Sequence, residues 1–172
     1  MATIFTTELR RAFDRASARL PEEARVRVAR ARSTRKTTMD ERDRLLGEIL
    51  EAYRQGPAEL WAPAILDLLA PAMATTLGHV HRRAERIAEL WDYDEPLVVD
   101  EEDVRQQLIF EVLRAAATIP LRPGGRAMKV RLLKRSNTYL TRWLKRDWRH
   151  QVQHCSLEAL EVDEEDDSES NG

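Results

Sequence analysis

Apolar residues in this chain recur at three- and four-residue intervals and almost never alternate, and that spacing narrows what the chain can fold into. There are only six glycines in 172 residues, no Asn-Gly or Asp-Gly pair stands between alternating apolar runs, and PLVV at 96–99 is the sole stretch that looks extended. Helix is therefore the reading throughout and all-α the expected class, with a length that suits one domain of about 100 to 150 residues plus extensions.

The punctuation divides the helices. Thr6 or Thr7 can cap a helix over 7–19 that Pro21 ends, with Leu9, Phe13, Ala16 and Leu20 on one face. A second, arginine-rich piece runs from Glu22 to Arg32 with little apolar surface to pack. After the linker-like STRKTT at 33–38, Thr38 stands three residues before Glu41, the spacing of a capping box, ahead of Leu45, Leu46, Ile49, Leu50 and Tyr53. Gly56-Pro57 ends that helix. From Glu59 to about Leu90 an apolar face of Leu60, Trp61, Ile65, Leu68, Leu69, Met73, Leu77 and Val80 is interrupted twice. Pro63 suits a first turn, and Pro71 predicts a kink or break. Past a turn holding Asp92, Asp94 and Pro96, the acidic run Asp100, Glu101, Glu102, Asp103 suits the positive end of a helix dipole. The helix it opens reaches about Ile119, with Val104, Leu108, Phe110 to Val112, Leu113 and Ala116 as its face. LRPGGR at 121–126 is a loop, and the last helix runs from about Met128 to Gln153 with Leu132, Leu133, Leu140, Leu144 and Trp148 as core candidates. The sequence after Cys155 is too poor in apolar residues to order itself and is expected to be a flexible acidic tail. The expected organisation is a basic helical extension over 1–56, a helical domain over 57–154 and the tail over 155–172.

Charge is segregated along the chain in a way the formal net charge of -2 conceals. Residues 126–151 hold nine Lys/Arg against one acid, residues 158–169 hold eight Asp/Glu and no base, and residues 1–38 hold ten Lys/Arg against four acids. A single cysteine excludes an internal disulfide framework and points to a reducing compartment. The amino terminus carries arginine and acid where a signal peptide needs an apolar stretch, and no segment reads as approaching the roughly 20 apolar residues of a membrane span. A cytoplasmic protein without a membrane partner is the expectation.

Little here suits catalysis. There is no GxSxG elbow, and Cys155 sits beside His154 next to the acidic run, which raises rather than lowers a thiol pKa. His79 and His81, two apart on a helix, point about 200° apart and do not chelate one metal together. The carboxylates from Asp92 to Asp103 suggest Mg²⁺, but no phosphate-cradling glycine loop accompanies them, and a solvated acidic lead-in to a helix explains the same residues. The expectation is a protein that is not an enzyme and has neither cofactor nor metal.

VRLLKRSNTYLTRWLKRDWRHQ is different, because Arg131, Lys134, Arg135, Arg142, Lys145, Arg146 and Arg149 interleave with Tyr139, Trp143 and Trp148 on one helix. Cations neutralise phosphates and release counterions, and aromatic rings stack on unpaired bases at roughly 1 to 3 kcal/mol each. The structural alternative is a solvated basic face with both tryptophans in the core.

The succession of WAPAILDLLAPAMATTLGHV, an acidic lead-in, DVRQQLIFEVLRAAATI, a loop and VRLLKRSNTYLTRWLKR resembles region two of bacterial sigma factors, especially the small extracytoplasmic-function type. The D-x-x-Q-E-x-F-like helix of that family is matched by Asp103, Gln106 and Gln107, with Ile109 or Phe110 at the apolar position, and the following helix by Leu132-Leu133, Asn137 and Lys145-Arg146. The resemblance implies that Asp103, Gln106 and Gln107 face the core RNA polymerase. It implies that Arg131, Lys134, Arg135, Asn137, Tyr139, Arg142, Trp143, Lys145 and Arg146 face promoter DNA and help open a minus-ten-type element. Val130-Arg131 replaces the tryptophan expected before the leucines, and Gln107 replaces the commoner glutamate. Nothing after residue 150 reads as the second, helix-turn-helix domain of the family, which leaves three readings open: a separate DNA-binding partner supplies that role, the chain keeps only the polymerase-binding surface and acts as a competitor or regulator, or a sigma domain is reused for binding elsewhere. The alternative is a helical protein-interaction module, of mobile-element or toxin-system type, whose basic helix meets a protein and not DNA.

Overall fold

The computed structural model describes residues 2–35, 37–90, 99–121 and 127–169, and of residues 2, 3, 81, 87, 88 and 154–169 it describes the backbone alone. These residues form seven helices and no strand: α1 (Ala2–Ser17), α2 (Glu22–Arg32), α3 (Met39–Gln55), α4 (Ala58–Leu77), α5 (Val80–Leu90), α6 (Glu101–Thr118) and α7 (Met128–Glu169). The chain is all-α.

At the centre lies α4. It is long and apolar enough to cross a membrane by length and composition, contrary to the sequence reading that no segment approaches a span. Its surroundings account for that composition: α1, α2, α3, α6 and α7 all pack against it, and a helix covered from several sides is apolar nearly all round. Ala64, Ile65, Leu69 and Met73 are inaccessible to solvent. The core is continuous across Gly56-Pro57, with Phe5, Leu9 and Phe13 of α1 in the same cluster as the α4 residues.

In the middle of this helix Asp67 is buried, its side chain only 4% exposed. An isolated carboxylate there would be costly, and two arginines compensate it: Arg10 of α1 at 3.3 Å and Arg32 at the end of α2. Arg32 also lies over the Phe13 ring, 4.9 Å from its centroid. Three helices thus converge on one carboxylate.

Pro71 does not end α4, which continues to Leu77 and gives way to α5 only after Gly78 and His79. Pro71 is exposed, so the hydrogen bond it removes from the Asp67 carbonyl lies on the solvent side, and packing on the other faces keeps the helix intact. Pro63 stands at the sixth residue of α4, later than the first turn expected of it.

Two terminal ties fix α6 and α7 to α3. The α3 amino terminus is itself capped as expected, Thr38 accepting from the Glu41 N–H at 3.2 Å, but the Glu41 carboxylate pairs with Arg30 of α2 and does not close the capping box. Near that end Asp43 accepts the Lys129 N–H at 3.2 Å, satisfying a free donor of the first turn of α7. At the other end Arg54 donates to the Ala116 carbonyl at 2.7 and 3.0 Å and to that of Ile119, closing the α6 carboxyl terminus. Arg54 is exposed as a residue, but its guanidinium is held against these carbonyls; the desolvation pushes its pKa down, opposed by the Glu51 carboxylate.

The face expected of α6 is partly wrong. Val104, Leu108, Val112 and Ala116 are buried, but Phe110 is 57% exposed, because two residues from Leu108 is about 200° around the helix. Glu111 is buried instead, its carboxylate accepting from Gln107 at 2.9 Å and Arg114 at 3.5 Å. The backbone of α7 also continues past Gln153 to Glu169, through the run read as a flexible tail. Extending a helix that tertiary packing has already nucleated adds one hydrogen bond per residue fixed, and Leu157 to Leu160 are good helix formers by composition. The residues at 36, 91–98 and 122–126, including Asp92, Asp94 and most of the loop before α7, lie outside the described residues.

Asp67→Ala is expected to lower the unfolding free energy by about 3 kcal/mol, the lower end for breaking a buried ion pair, since Arg10 and Arg32 are part-exposed and can turn to water. Urea denaturation with an unchanged m-value is the check; a loss below about 1 kcal/mol would contradict this role.

Candidate nucleic-acid interface

The buried side of α7 follows a strict four-residue rhythm: Met128, Leu132, Ser136, Leu140, Leu144 and Trp148. Four residues turn the helix by about 400°, so each step drifts about 40° and the stripe winds diagonally round α7. Its partners change accordingly, with α3 at the start of the helix, α4 near Asn137 and α6 toward Trp148. Ser136, the smallest of the stripe, satisfies its hydroxyl on the Leu132 carbonyl at 2.9 Å.

This winding sorts the residues expected to meet DNA. Lys134, Arg142, Lys145 and Arg146 are exposed, as is Arg149, which was outside the DNA-facing set. At about 100° per residue all five fall within an arc of about 120° and span about 22 Å along the axis. No acidic partner pairs with any of them among the described residues.

The other residues are engaged within the fold. Arg131 donates to the Pro120 carbonyl at 2.9 Å and fastens the start of α7 to the end of α6. Asn137 is half-buried, its Oδ1 3.2 Å from the Thr76 hydroxyl of α4. Tyr139 has Arg114 of α6 4.5 Å from its ring centroid and Arg135 at 5.6 Å, and its hydroxyl accepts from Arg135 Nε at 2.9 Å. Trp143 is partly buried against the core, and Trp148 is buried outright. Such rings are not free platforms for bases in this conformation.

The residues expected to face polymerase lie on α6 and differ in exposure. Asp100 caps this helix, accepting from the Glu102 and Asp103 N–H groups at 2.8 and 3.1 Å, which sets its amino terminus. Asp103 and Gln106 are exposed, and Gln106 donates to Glu102 at 3.2 Å. Gln107 is half-buried and committed to Glu111. With Phe110 and Arg114, Asp103 and Gln106 form an exposed strip at three- and four-residue spacing that ends beside Tyr139. Phe110, assigned to the core from the sequence, is the large apolar group of this strip; its place two residues from Leu108, on the far side of the helix, was the signal that set it outside. Asp103 and Trp143, expected to serve different partners, line one cleft of about 170 Å³ between the start of α6 and α7.

Part of the positive charge over residues 1–38 is neutralised internally: Arg10 and Arg32 by Asp67, Arg27 by Glu48 and Arg30 by Glu41. Among the described residues no three His, Cys, Asp or Glu side chains gather as a metal site. The side chains of His154 and Cys155 lie outside the described residues. No family model, curated protein or solved structure matches the chain.

The two tryptophans should separate in a stability measurement. Trp148→Ala is expected to cost about 3 to 5 kcal/mol and Trp143→Ala about 1 to 2 kcal/mol. Equal losses would contradict the division between a core and a cleft tryptophan.

Proposed function

We propose that this chain is a cytoplasmic, sigma-factor-like transcription protein without catalytic chemistry, in which α6 docks on core RNA polymerase and α7 holds promoter DNA. One observation carries the reading: two packed helices turn outward two strips of different chemistry. The α6 strip offers a carboxylate, an amide and an exposed aromatic ring, the mixture that anchors protein contacts. The α7 strip offers five cations without acidic partners among the described residues, the mixture that neutralises phosphates. The motif resemblance to sigma region two assigns polymerase to the first and DNA to the second. On this reading strand opening requires Tyr139 and Trp143 to leave their contacts with Arg114 and the α6–α7 cleft, so polymerase bound at α6 bears on the stacking groups of α7.

Capture of core RNA polymerase by the purified chain is the test. Gln106→Ala and Phe110→Ala are each expected to weaken capture at least about tenfold with folding unchanged, since both side chains are exposed. Failure of the unaltered chain to bind, or binding indifferent to both substitutions, would overturn the polymerase half of the reading.

A second reading is favoured by the internal engagement of Asn137, Tyr139 and Trp143: a protein-interaction module that uses the same two strips and meets no nucleic acid. It predicts no retention on single-stranded or duplex DNA at physiological ionic strength.

A further inference from the structure

Away from the α6 strip, the start of α3 and the start of α7 border a depression of about 140 Å³ floored by Leu46, Leu68 and Leu69. Its rims are apolar and exposed: Met39, the first residue of α3, at 66% and Val130 of α7 at 58%. Large apolar groups standing out of a surface beside an apolar hollow mark a place where another chain sits. The polar groups of the hollow specify the chemistry of that chain. Arg42 lines the hollow and its buried Nε–H has no acceptor among the described residues, and Lys129 is exposed beside it. The one acid present, Asp43, already accepts the Lys129 N–H. A complementary segment must bring an apolar side chain to fill the hollow and a carboxylate, one residue or one helical turn away, to meet Arg42 and Lys129.

The sequence Leu157-Glu158-Ala159-Leu160-Glu161-Val162-Asp163 has this composition: apolar residues at 157 and 160, each followed by a glutamate. It cannot reach the hollow of its own chain while α7 is continuous, because residues 130 and 160 of a straight helix are about 45 Å apart. We infer that the hollow between α3 and α7 binds the 157–163 segment of a second copy of this chain, Leu157 or Leu160 entering between Met39 and Val130 and the neighbouring glutamates meeting Arg42 and Lys129. The inference is independent of the polymerase and DNA reading, since it uses neither the α6 strip nor the α7 arc from Lys134 to Arg149.

Sedimentation of the full chain tests it with two variants. Met39→Glu changes an exposed residue and damages only the hollow; Glu158→Lys with Glu161→Lys damages only the segment. The unaltered chain is expected to associate as its concentration rises through roughly 10 to 100 µM, the range of a small docking contact, and each variant alone to remain monomeric at concentrations at least about tenfold higher. Mixed together, the two variants should associate again, because one retains an intact segment and the other an intact hollow. A chain that stays monomeric throughout, variants that associate as the unaltered chain does, or a mixture that stays monomeric would each overturn the inference; circular dichroism confirms that every variant is folded.

Discussion

The architecture depends on a single buried carboxylate. Asp67 is the one charge between Leu60 and Leu77 of α4, and the apolar surface around it gives little directional preference for what covers it, since hydrophobic burial is non-directional. With Asp67, the helices that cover α4 must deliver cations at one point, and Arg10 of α1 and Arg32 of α2 do so. Charge pairing at that point fixes the register of α1 and α2 against the centre of the bundle, and Phe13 under Arg32 adds an aromatic contact to the same junction. The arginine-rich start of the chain is therefore in part structural, with some of its positive charge matched inside the fold.

A second layer of constraint runs through α3, which holds the end of α6 with Arg54 and the start of α7 with Asp43, about 16 Å apart along its axis. Both are hydrogen bonds to free ends of helices, where unmatched backbone groups are otherwise left to water. With those ends fixed, the four-residue stripe of α7 decides which residues turn inward at each level. The same winding leaves five cations on one arc and directs the aromatic groups toward the core and α6. Positive charge is thus available at the surface of α7 as it stands, whereas Tyr139 and Trp143 are engaged within the fold.

Where a local rule governed the outcome, the sequence was legible. Thr38 before Glu41, the acidic opening of α6, the break at Gly56-Pro57 and the burial of Leu132, Leu140, Leu144 and Trp148 all follow from capping chemistry, the helix dipole or periodicity. Where tertiary packing overrode a local rule, it was not: Pro71 is tolerated because its missing hydrogen bond faces solvent, and α4 ends at Gly78 instead. Glu41 leaves its capping box for an arginine that only the folded chain brings near. The importance of Asp67 had a visible signal, one charge amid the apolar run from Leu60 to Leu77, but its two partners lie 57 and 35 residues away. For the candidate site, the sequence showed that α7 is basic and aromatic. It did not separate Lys134, Arg142, Lys145 and Arg146 from Asn137, Tyr139 and Trp143, because that depends on where α4 and α6 pack.

The central functional claim is that the α7 arc neutralises phosphates. Fluorescence anisotropy of a labelled DNA duplex, titrated with the chain across a series of salt concentrations, tests it most directly. Five cations predict a slope of about -4 to -5 in log affinity against log salt, made shallower by about one for each of Arg142→Gln, Lys145→Gln and Arg146→Gln. A slope near zero, or one that all three substitutions leave unchanged, would contradict the claim.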